Sequence, residues 1–416
     1  MASGLNWAGN HAFVAERIHR PGALDDVRRA VAGARHIHAV GARHAFNGAA
    51  DSPGELIDLS DIDPDFVLDT AARTVTAGGG ATYAALAGWL QVHGWALHNM
   101  ASLPHLSLAG ATATGTHGSG DALGTLASAI AAVELVTATG DVLTLRRGDH
   151  GFPGVAVGLG AFGIITRVTL DIQPSYRMRQ DAFQDLPWQF VMDEFDAVMG
   201  AGTSVSIFTS WSGANADRLW IKTRMDAGSE DRPPVAPGGA VPAALPSRYG
   251  GAEHLRKLTP FGLAGPWSER VAHFRPTFEQ GPQLQSEYLL PRTQATRAIA
   301  LLRRLGPRID AQLGVTEIRS MTADDLWFSP AYGAETIGIH FSWALREVPE
   351  VMALCAEIEA MLLPLGARPH WGKVILSPAA ALAPLYPRMW DFRALAARLD
   401  PAGKFRNAFL DRHVFG

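Results

Sequence analysis

The chain has 416 residues, of which 47% are hydrophobic and 18% are charged; the length suggests two or three domains, and the composition excludes wholesale disorder. Its 36 basic and 40 acidic side chains leave a formal net charge of −4 and are interspersed, which argues against nucleic acid and anionic membranes as partners. The single cysteine, Cys355, excludes an intrachain disulfide, and its helical surroundings predict buried packing. The first residues lack the basic start and apolar run of a signal peptide, so we expect a cytoplasmic protein.

Up to about Pro174, the chain alternates short strand-like runs with helical patterns. Thr82 is a suitable N-cap for one helix, and Gly94 a suitable terminator. The elements predicted here are a helix over 24–31, strands over 36–40 and 74–77, a helix over 82–93, a hairpin of strands 131–138 and 142–145, and a strand over 164–172. Because the uncharged stretch 74–120 is rich in glycine, hydroxyls and histidine, it does not predict a membrane span.

Glycines and small hydroxyl residues concentrate between these elements, at 78–80, 109–120 and 151–163. Free backbone N–H groups in such loops form concavities that suit a pyrophosphate. Tight turns are the simpler explanation for any one loop, but several loops flanked by strands favour a nucleotide-cofactor site. None has the spacing of the Rossmann fingerprint, and there is no Walker lysine motif. We therefore expect a different architecture to bind the cofactor.

Beyond Pro174, tryptophans and charges are distributed more evenly. Prolines recur through 227–251 and predict a long loop without regular structure. The elements predicted after that loop are strands over 286–290, 314–319 and 336–343, and helices over 293–305, 350–363 and 387–399. There is no internal repeat or heptad pattern, and the whole chain predicts an α+β fold.

Several segments resemble one group of flavoproteins. The loop Gly41-Ala-Arg-His-Ala-Phe-Asn47 resembles the pyrophosphate loop of the vanillyl-alcohol-oxidase/PCMH-type FAD-binding family, in which a histidine at this place carries FAD covalently. The similarity to bacterial alditol oxidases is greater still and extends in order along the chain. The segments that carry it are 6–10 (NWAGN), 99–105 (NMASLPH), 114–120 (TGTHGSG), 285–288 (QSEY), 317–319 (EIR), 368–373 (RPHWGK) and 400–405 (DPAGKF).

The resemblance implies a PCMH-type FAD-binding domain, residues 1–173 completed by 374–416, with an α+β substrate domain inserted at 174–373. It implies an FAD-dependent alditol oxidase that transfers hydride from the terminal primary hydroxyl of a polyol, such as xylitol or sorbitol, to flavin N5. The products would be the aldose and hydrogen peroxide, and the partners would be a small polyol and O2, with the protein a monomer. A sugar-lactone (aldonolactone) oxidase or dehydrogenase of the same family is the alternative, and a binding module without turnover is another.

By resemblance, a neutral His44 would bond to the methyl carbon at the benzenoid edge of the flavin. The usual loop is Gly-Ser-Gly-His-Ser, so Arg43 replaces a glycine and Ala45 replaces a serine, which leaves the extent of attachment open. A metal cluster of His44 with His36 and His38 lacks the spacing of a tetrahedral site, and no metal is expected. The residues assigned to the cofactor are Gly41, Ala42, Arg43, His44, Ala45, Phe46, Asn47, Ala101, Ser102, Ser107, Gly110, Thr112, Gly115, His117, Gly118, Gly120 and Ile165.

Glu317 and Arg319 lie two residues apart in a strand-like run, so both project from the same face. On an exposed strand such a pair is a solvated feature, and the sequence alone does not say which way the face looks. The resemblance assigns catalysis to Lys373, Arg319 and Glu317, and substrate binding to these three with Ser102 and Ser342. Arg319 and Lys373 would hold the reacting oxygen and Glu317 a neighbouring hydroxyl, while the base is either Lys373 or a water.

Overall fold

The computed structural model describes residues 4–225, 231–243, 256–276, 283–345 and 347–416. The helices are α1 (Leu24–Gly33), α2 (Tyr83–Val92), α3 (Leu108–Ala113), α4 (Phe152–Ala156), α5 (Trp188–Asp193), α6 (Phe195–Met199), α7 (Ala295–Arg304), α8 (Gly306–Gln312), α9 (Val348–Leu362), α10 (Ala379–Leu382), α11 (Met389–Leu399) and α12 (Ala408–Leu410). Within the described ranges, no helix combines the length and apolar character needed to cross a membrane.

The strands are short in the first half of the chain and longer in the second. They are β1 (Arg17–His19), β2 (Ile37–Ala39), β3 (Glu55–Ile57), β4 (Val67–Asp69), β5 (Thr74–Gly78), β6 (Trp95–Ala96), β7 (Ile130–Val136), β8 (Val142–Arg146), β9 (Ile164–Asp171), β10 (Gln173–Pro174), β11 (Arg177–Gln184), β12 (Leu186–Pro187), β13 (Ser204–Thr209), β14 (Asn215–Ala216), β15 (Arg218–Met225), β16 (Val241–Pro242), β17 (Gly265–Pro266), β18 (Leu284–Pro291), β19 (Leu313–Met321), β20 (Thr336–Trp343) and β21 (Arg368–Pro369). This mixture confirms the α+β class.

The first half of the chain forms two main sheets. One is the parallel sheet β1-β3-β2, and the other is the antiparallel sheet β4-β5-β9-β7-β8. Leu86 and Leu90 of α2 pack against Val168 and neighbouring apolar side chains of the second sheet. Thr82 Oγ1 accepts a hydrogen bond from the Ala85 N–H over 3.2 Å, which confirms the predicted N-cap of this helix.

The second half forms an antiparallel sheet in the order β16-β11-β15-β13-β19-β20-β18-β21, with β17 beside β11. Every residue of β20 is buried. Helices α7 and α9 cover one face, where Ile318, Ile339 and Tyr288 join their core. Because side chains alternate along a strand, the residues between these project from the opposite face, toward the first half of the chain.

After β21 the chain returns to the first half. Leu382, Phe392 and Leu410 pack in the same core as α2 and β9, and the Lys404 carbonyl accepts a hydrogen bond of 3.0 Å from the Ile37 N–H. The C-terminal segment therefore closes the N-terminal half rather than extending the large sheet. Cys355 is fully buried in α9, which confirms its predicted packing role.

Several elements differ from the sequence prediction. Helices α3 and α4 lie inside stretches that looked like glycine-rich loops, because alanine and leucine or valine between the glycines support a short helix. Strands β11, β13 and β15 were not predicted. The proline-rich segment 227–251 lies partly outside the described residues, and where it is described it contains β16 and a 3₁₀ turn at Pro237–Gly239, so it is not wholly irregular.

Candidate active site

A cavity of about 650 Å³ lies between the glycine-rich loops of the first half and the uncovered face of the large sheet. On one side its lining comes from residues within the segments 38–50, 101–117 and 159–165, and on the other side it comes from residues of β18, β19, β20 and the segment 370–373. The cavity is therefore bounded by backbone-rich loops on one side and by side chains of a rigid sheet on the other.

All residues of the loop 41–47 line this cavity. A Cβ on Gly41 would lie 2.2 Å from Ser107 Oγ, so any larger residue there would have to displace the Ser107 hydroxyl. The N–H groups of Ala42, His44 and Ala45 donate no hydrogen bond to any other residue in the described ranges. Unpaired N–H groups gathered in one loop suit an anion such as a pyrophosphate, so this loop fits the phosphate part of FAD.

Arg43 has a φ of +58°. The resemblance places a glycine at this position. This left-handed conformation is unfavourable for a residue with a Cβ. Asn47 ties the end of the loop to the opposite wall, since its side-chain amide donates to the carbonyls of Trp371 (2.9 Å) and Lys373 (2.6 Å). The loop is therefore held in one conformation despite the local strain.

His44 is enclosed by two other rings. Its imidazole centroid is 4.6 Å from that of Trp7 and 4.5 Å from that of His105. The Nε2 atoms of His44 and His105 are 2.6 Å apart and share a hydrogen bond. Burial, assisted by His105, lowers the pKa of His44 to about 3, so the imidazole is neutral and one of its nitrogens is available as a nucleophile.

The segment 101–120 supplies part of the wall. Ala101, Ser102, Ser107, Gly110 and His117 line the cavity, as does Ile165 from β9. The structure does not bring Thr112, Gly115, Gly118 or Gly120 to it. The Thr112 hydroxyl donates to the Leu108 carbonyl inside α3, and the three glycines are required by packing or by a positive φ. Packing behind the wall explains the small size of these four residues.

Replacing Gly118 by alanine is expected to lower the free energy of unfolding by about 1–3 kcal/mol, the cost of forcing extra volume into a packed interior. The new Cβ would lie 2.2 Å from Asn99 Oδ1 and 2.5 Å from the Met100 carbonyl oxygen. Urea denaturation of the holoenzyme measures the change. Gly88→Ala is the control, since nothing lies within 4 Å of a Cβ there and a helical Gly→Ala change stabilises by roughly 0.5–1 kcal/mol. Equal effects at the two positions would contradict this account.

The charged wall comes from three adjacent strands in register. Glu317 of β19 pairs with His340 of β20, which in turn pairs with Glu287 of β18. One step along, Arg319 lies on the same face as Glu317, and Ser342 on the same face as His340. All five line the cavity and are at least nine-tenths buried. The face that carries the Glu317–Arg319 pair therefore looks into the cavity and not into solvent.

Glu287 is the centre of this wall and is fully buried. Its carboxylate contacts Lys373 Nζ (2.5 Å), Arg319 Nη2 (2.8 Å) and His117 Nε2 (3.2 Å). Burial alone would raise the pKa of Glu287, but Lys373 and Arg319 outweigh it and hold that pKa well below its usual range. The ionised Glu287 therefore compensates two buried cations.

Lys373 is held by two partners. Its Nζ lies 2.7 Å from His340 Nδ1 in addition to its contact with Glu287. Burial lowers the pKa of Lys373 despite Glu287, and burial together with Lys373 lowers that of His340. A neutral His340 that accepts at Nδ1 carries its proton on Nε2, which is 3.0 Å from Ser342 Oγ. Two of the three N–H groups of a charged Lys373 are used in these contacts, so the third can donate to a ligand.

Ser102 connects the two sides of the cavity. Its hydroxyl accepts a hydrogen bond of 3.4 Å from Arg319 Nη1. The five residues assigned to the substrate thus line one cavity, with Ser102 on the side of the loops and Glu317, Arg319, Ser342 and Lys373 on the side of the sheet. A ligand that carries hydroxyls would find there a carboxylate acceptor and two cationic donors, opposite loops that suit a dinucleotide.

Comparison with known proteins agrees with this arrangement. A family model described as FAD binding domain matches residues 15–146, and one described as D-arabinono-1,4-lactone oxidase matches residues 277–413. The chain is 41% identical, over 97% of both proteins, to the alditol oxidase of Streptomyces sp. (strain IKD472 / FERM P-14339). It belongs to the alditol oxidase family. As a member of this family, it is an FAD-dependent oxidoreductase that uses oxygen as acceptor.

More distant relatives share the same fold. The chain is 29% identical, over 99% of its length and 98% of the relative, to the L-gulono-1,4-lactone dehydrogenase of Mycobacterium tuberculosis (strain ATCC 25618 / H37Rv). Among solved structures, cholesterol oxidase from B. sterolicum superposes with a TM-score of 0.79 over 99% of this chain and 96% of that one, at 17% identity. At that identity the likeness shows only the fold, which confirms the PCMH-type architecture.

Three residues of this alditol oxidase family member have the geometry of a metal site. His117, Glu287 and His370 each offer a ligand atom, and these atoms lie within 4.8 Å of one another. However, Lys373 and Arg319 already bind the Glu287 carboxylate, and two cations so close oppose a divalent metal ion. The arrangement is better explained as a buried polar network around Glu287.

The sequence analysis missed Glu287, His340 and His273 as site residues. Glu287 lies inside the segment 285–288, which was one of the segments that resemble the family, but taken as a single residue it looks like an ordinary surface glutamate. A signal was present in β18, where Gln285 and Glu287 lie two residues apart and therefore share one face of the strand, as Glu317 and Arg319 do in β19. Two strands with polar residues on one face indicate a shared polar wall.

Proposed function

We propose that this protein oxidises the terminal primary hydroxyl of an alditol, such as xylitol or sorbitol, to the aldose and reduces O2 to hydrogen peroxide. The observation that carries the proposal is the convergence of Glu317, Arg319 and Lys373 on one cavity wall that faces the glycine-rich loops. The 41% identical relative named alditol oxidase supports the choice of substrate.

Bound FAD supplies the hydride acceptor, the flavin N5. The chain's own residues position the substrate. Arg319 and Lys373 hold the reacting oxygen and stabilise negative charge on it, while Glu317 accepts a hydrogen bond from the adjacent hydroxyl. Ser102 helps to orient Arg319, because its hydroxyl accepts a hydrogen bond from Arg319 Nη1. A charged Lys373 has no lone pair to accept a proton, so the proton that leaves the substrate hydroxyl then passes to a water; Lys373 Nζ takes it only in its neutral form, which burial favours by lowering the pKa of this lysine.

An oxygen-electrode assay with xylitol and with an aldonolactone tests this proposal. We expect oxygen consumption and peroxide with xylitol. Turnover of the lactone alone would instead favour a sugar-lactone oxidase or dehydrogenase, the second candidate, which the match of residues 277–413 to the lactone oxidase family model supports. No turnover of either compound by protein that contains FAD would contradict both.

We further propose that FAD is attached covalently through His44. A neutral imidazole that contacts Trp7 and His105, in the middle of the loop 41–47, supports this assignment. The purified protein, after acid denaturation, should retain a yellow, fluorescent flavin on the polypeptide. His44→Ala should release it, whereas the exposed His93, which stacks on Trp89, should be replaceable by alanine without effect. Release of the flavin from the wild-type protein would contradict covalent attachment and leave the oxidase proposal intact.

A further inference from the structure

A short segment beside the charged wall, residues 271–274, spans from one side of the cavity to the other, and His273 and Phe274 line the cavity; we call it the bridging segment. The Phe274 N–H donates to the Ser102 carbonyl over 3.1 Å, on the side of the glycine-rich loops. On the side of the sheet, His273 Nε2 lies 2.7 Å from Glu317 Oε1. The bridging segment therefore contacts two of the proposed substrate-binding residues.

The bond between His273 and Glu317 has a defined direction. Burial alone would raise the pKa of Glu317, but Arg319 and His273 outweigh it and hold that pKa well below its usual range. A carboxylate only accepts, so His273 Nε2 carries the proton. Oε1 is thus occupied, while Oε2 makes no hydrogen bond with any residue in the described ranges. One carboxylate oxygen is fixed, and the other is left for a ligand.

Lys222 holds the bridging segment from the other side. It lies on β15 with only 1% of its surface exposed. Its Nζ donates to the carbonyls of Val271 (2.5 Å) and Ala272 (3.0 Å), the two residues before His273. A buried amine is costly, and an apolar side chain of similar size would fill the same space more favourably. We therefore infer that Lys222 holds the bridging segment in place in addition to filling space.

We propose that Lys222 and His273 are positioning residues that hold Glu317 so that its free oxygen binds the hydroxyl next to the reacting carbon. This inference rests on the proposed oxidation of a terminal alcohol. A vicinal diol presents that second hydroxyl and a simple primary alcohol does not, so the simple alcohol leaves the buried carboxylate oxygen unpaired. Selection of substrates with a terminal 1,2-diol then depends on Lys222 and His273, neither of which needs to contact the substrate.

The test compares the wild-type holoenzyme with His273→Leu and His273→Gln, using 1,2-butanediol and 1-butanol. For His273→Leu we expect the ratio of kcat/KM for the diol to that for the alcohol to fall about tenfold, the worth of one hydrogen bond to a charged group. The KM for the diol should rise by a similar factor, with kcat changed less than about threefold. His273→Gln should restore most of the ratio because its amide can donate to Glu317.

A control and a second variant separate positioning from general stability. His413 is equally buried, but its Nδ1 bonds to the Ser377 carbonyl away from the cavity, so His413→Leu should leave the ratio unchanged. Lys222→Met should also lower the ratio, as His273→Leu does. If His273→Leu does not fold, Lys222→Met and His273→Gln together test the inference. An unchanged ratio in folded, FAD-containing variants would overturn the inference. A wild-type enzyme that oxidises neither xylitol nor the diol would overturn the proposed function instead.

Discussion

Replacing Lys373 by methionine is expected to lower kcat/KM for a polyol by roughly 10²–10³-fold, the usual effect of removing one donor to a developing oxyanion. Methionine keeps the volume of the side chain but removes the charge that Glu287 and His340 hold in place, 2.5 and 2.7 Å from Nζ. Steady-state oxygen consumption measures the loss. The flavin absorbance per polypeptide should remain the same, because the loops assigned to the cofactor are on the other side of the cavity.

Lys404→Met is the matched control for this change. Lys404 Nζ donates to the Val31 carbonyl over 2.6 Å, outside the cavity, so its loss should leave kcat/KM unchanged. If Lys373→Met retained full activity, Lys373 would have no part in the mechanism. If both variants lost activity in proportion to their FAD content, the effect would be one of folding.

Replacing Glu287 by glutamine is expected to lower the free energy of unfolding by about 3–5 kcal/mol, the cost of leaving buried charge without its partner. Glu287 is the carboxylate that contacts both Arg319 and Lys373 within hydrogen-bonding distance. Glutamine has nearly the same shape, so the change tests the charge and not the packing. Activity should fall as well, because Arg319 and Lys373 lose the group that orients them.

Urea denaturation of the holoenzyme, followed by tryptophan fluorescence, measures this effect. Glu357→Gln is the control: its carboxylate pairs with Arg308 at 2.7 Å, but both side chains are largely exposed, and such surface pairs contribute less than about 1 kcal/mol. A loss of similar size in the two variants would show that Glu287 is not a compensating charge of the buried wall.

Local patterns were sufficient for the longer helices, α1, α2, α7, α9 and α11, but not for many of the shorter elements. Apolar periodicity predicted α1, and Thr82 with Gly94 defined the limits of α2 within a residue or two, because capping depends on neighbouring residues only. The same reasoning failed for α3, where alternating glycine, alanine and threonine resemble a loop. It also failed for β11, β13 and β15; in β11 and β15, buried polar residues such as Gln180 and Lys222 mask the apolar pattern of a core strand.

The candidate site was predicted unevenly for the same reason. The loop 41–47 and the pair Glu317 and Arg319 were recognisable as short contiguous motifs, and all of them line the cavity. Glu287 and His273 were not, because each is an ordinary residue type whose importance comes from its partner. Those partners lie 32 residues away for Glu287 and Arg319, and 44 residues away for His273 and Glu317.

The sequence by itself determined the class of fold and the fact that Glu317 and Arg319 share one face of a strand, and it predicted the loop 41–47 with His44 as a cofactor site. Only the tertiary structure decided which way that face looks. Helices α7 and α9 occupy the apolar face of the sheet, so the polar face is directed toward the glycine-rich loops. Burial there requires each charge to have an opposite charge or a hydrogen-bond partner, and the register of β18, β19 and β20 supplies those partners.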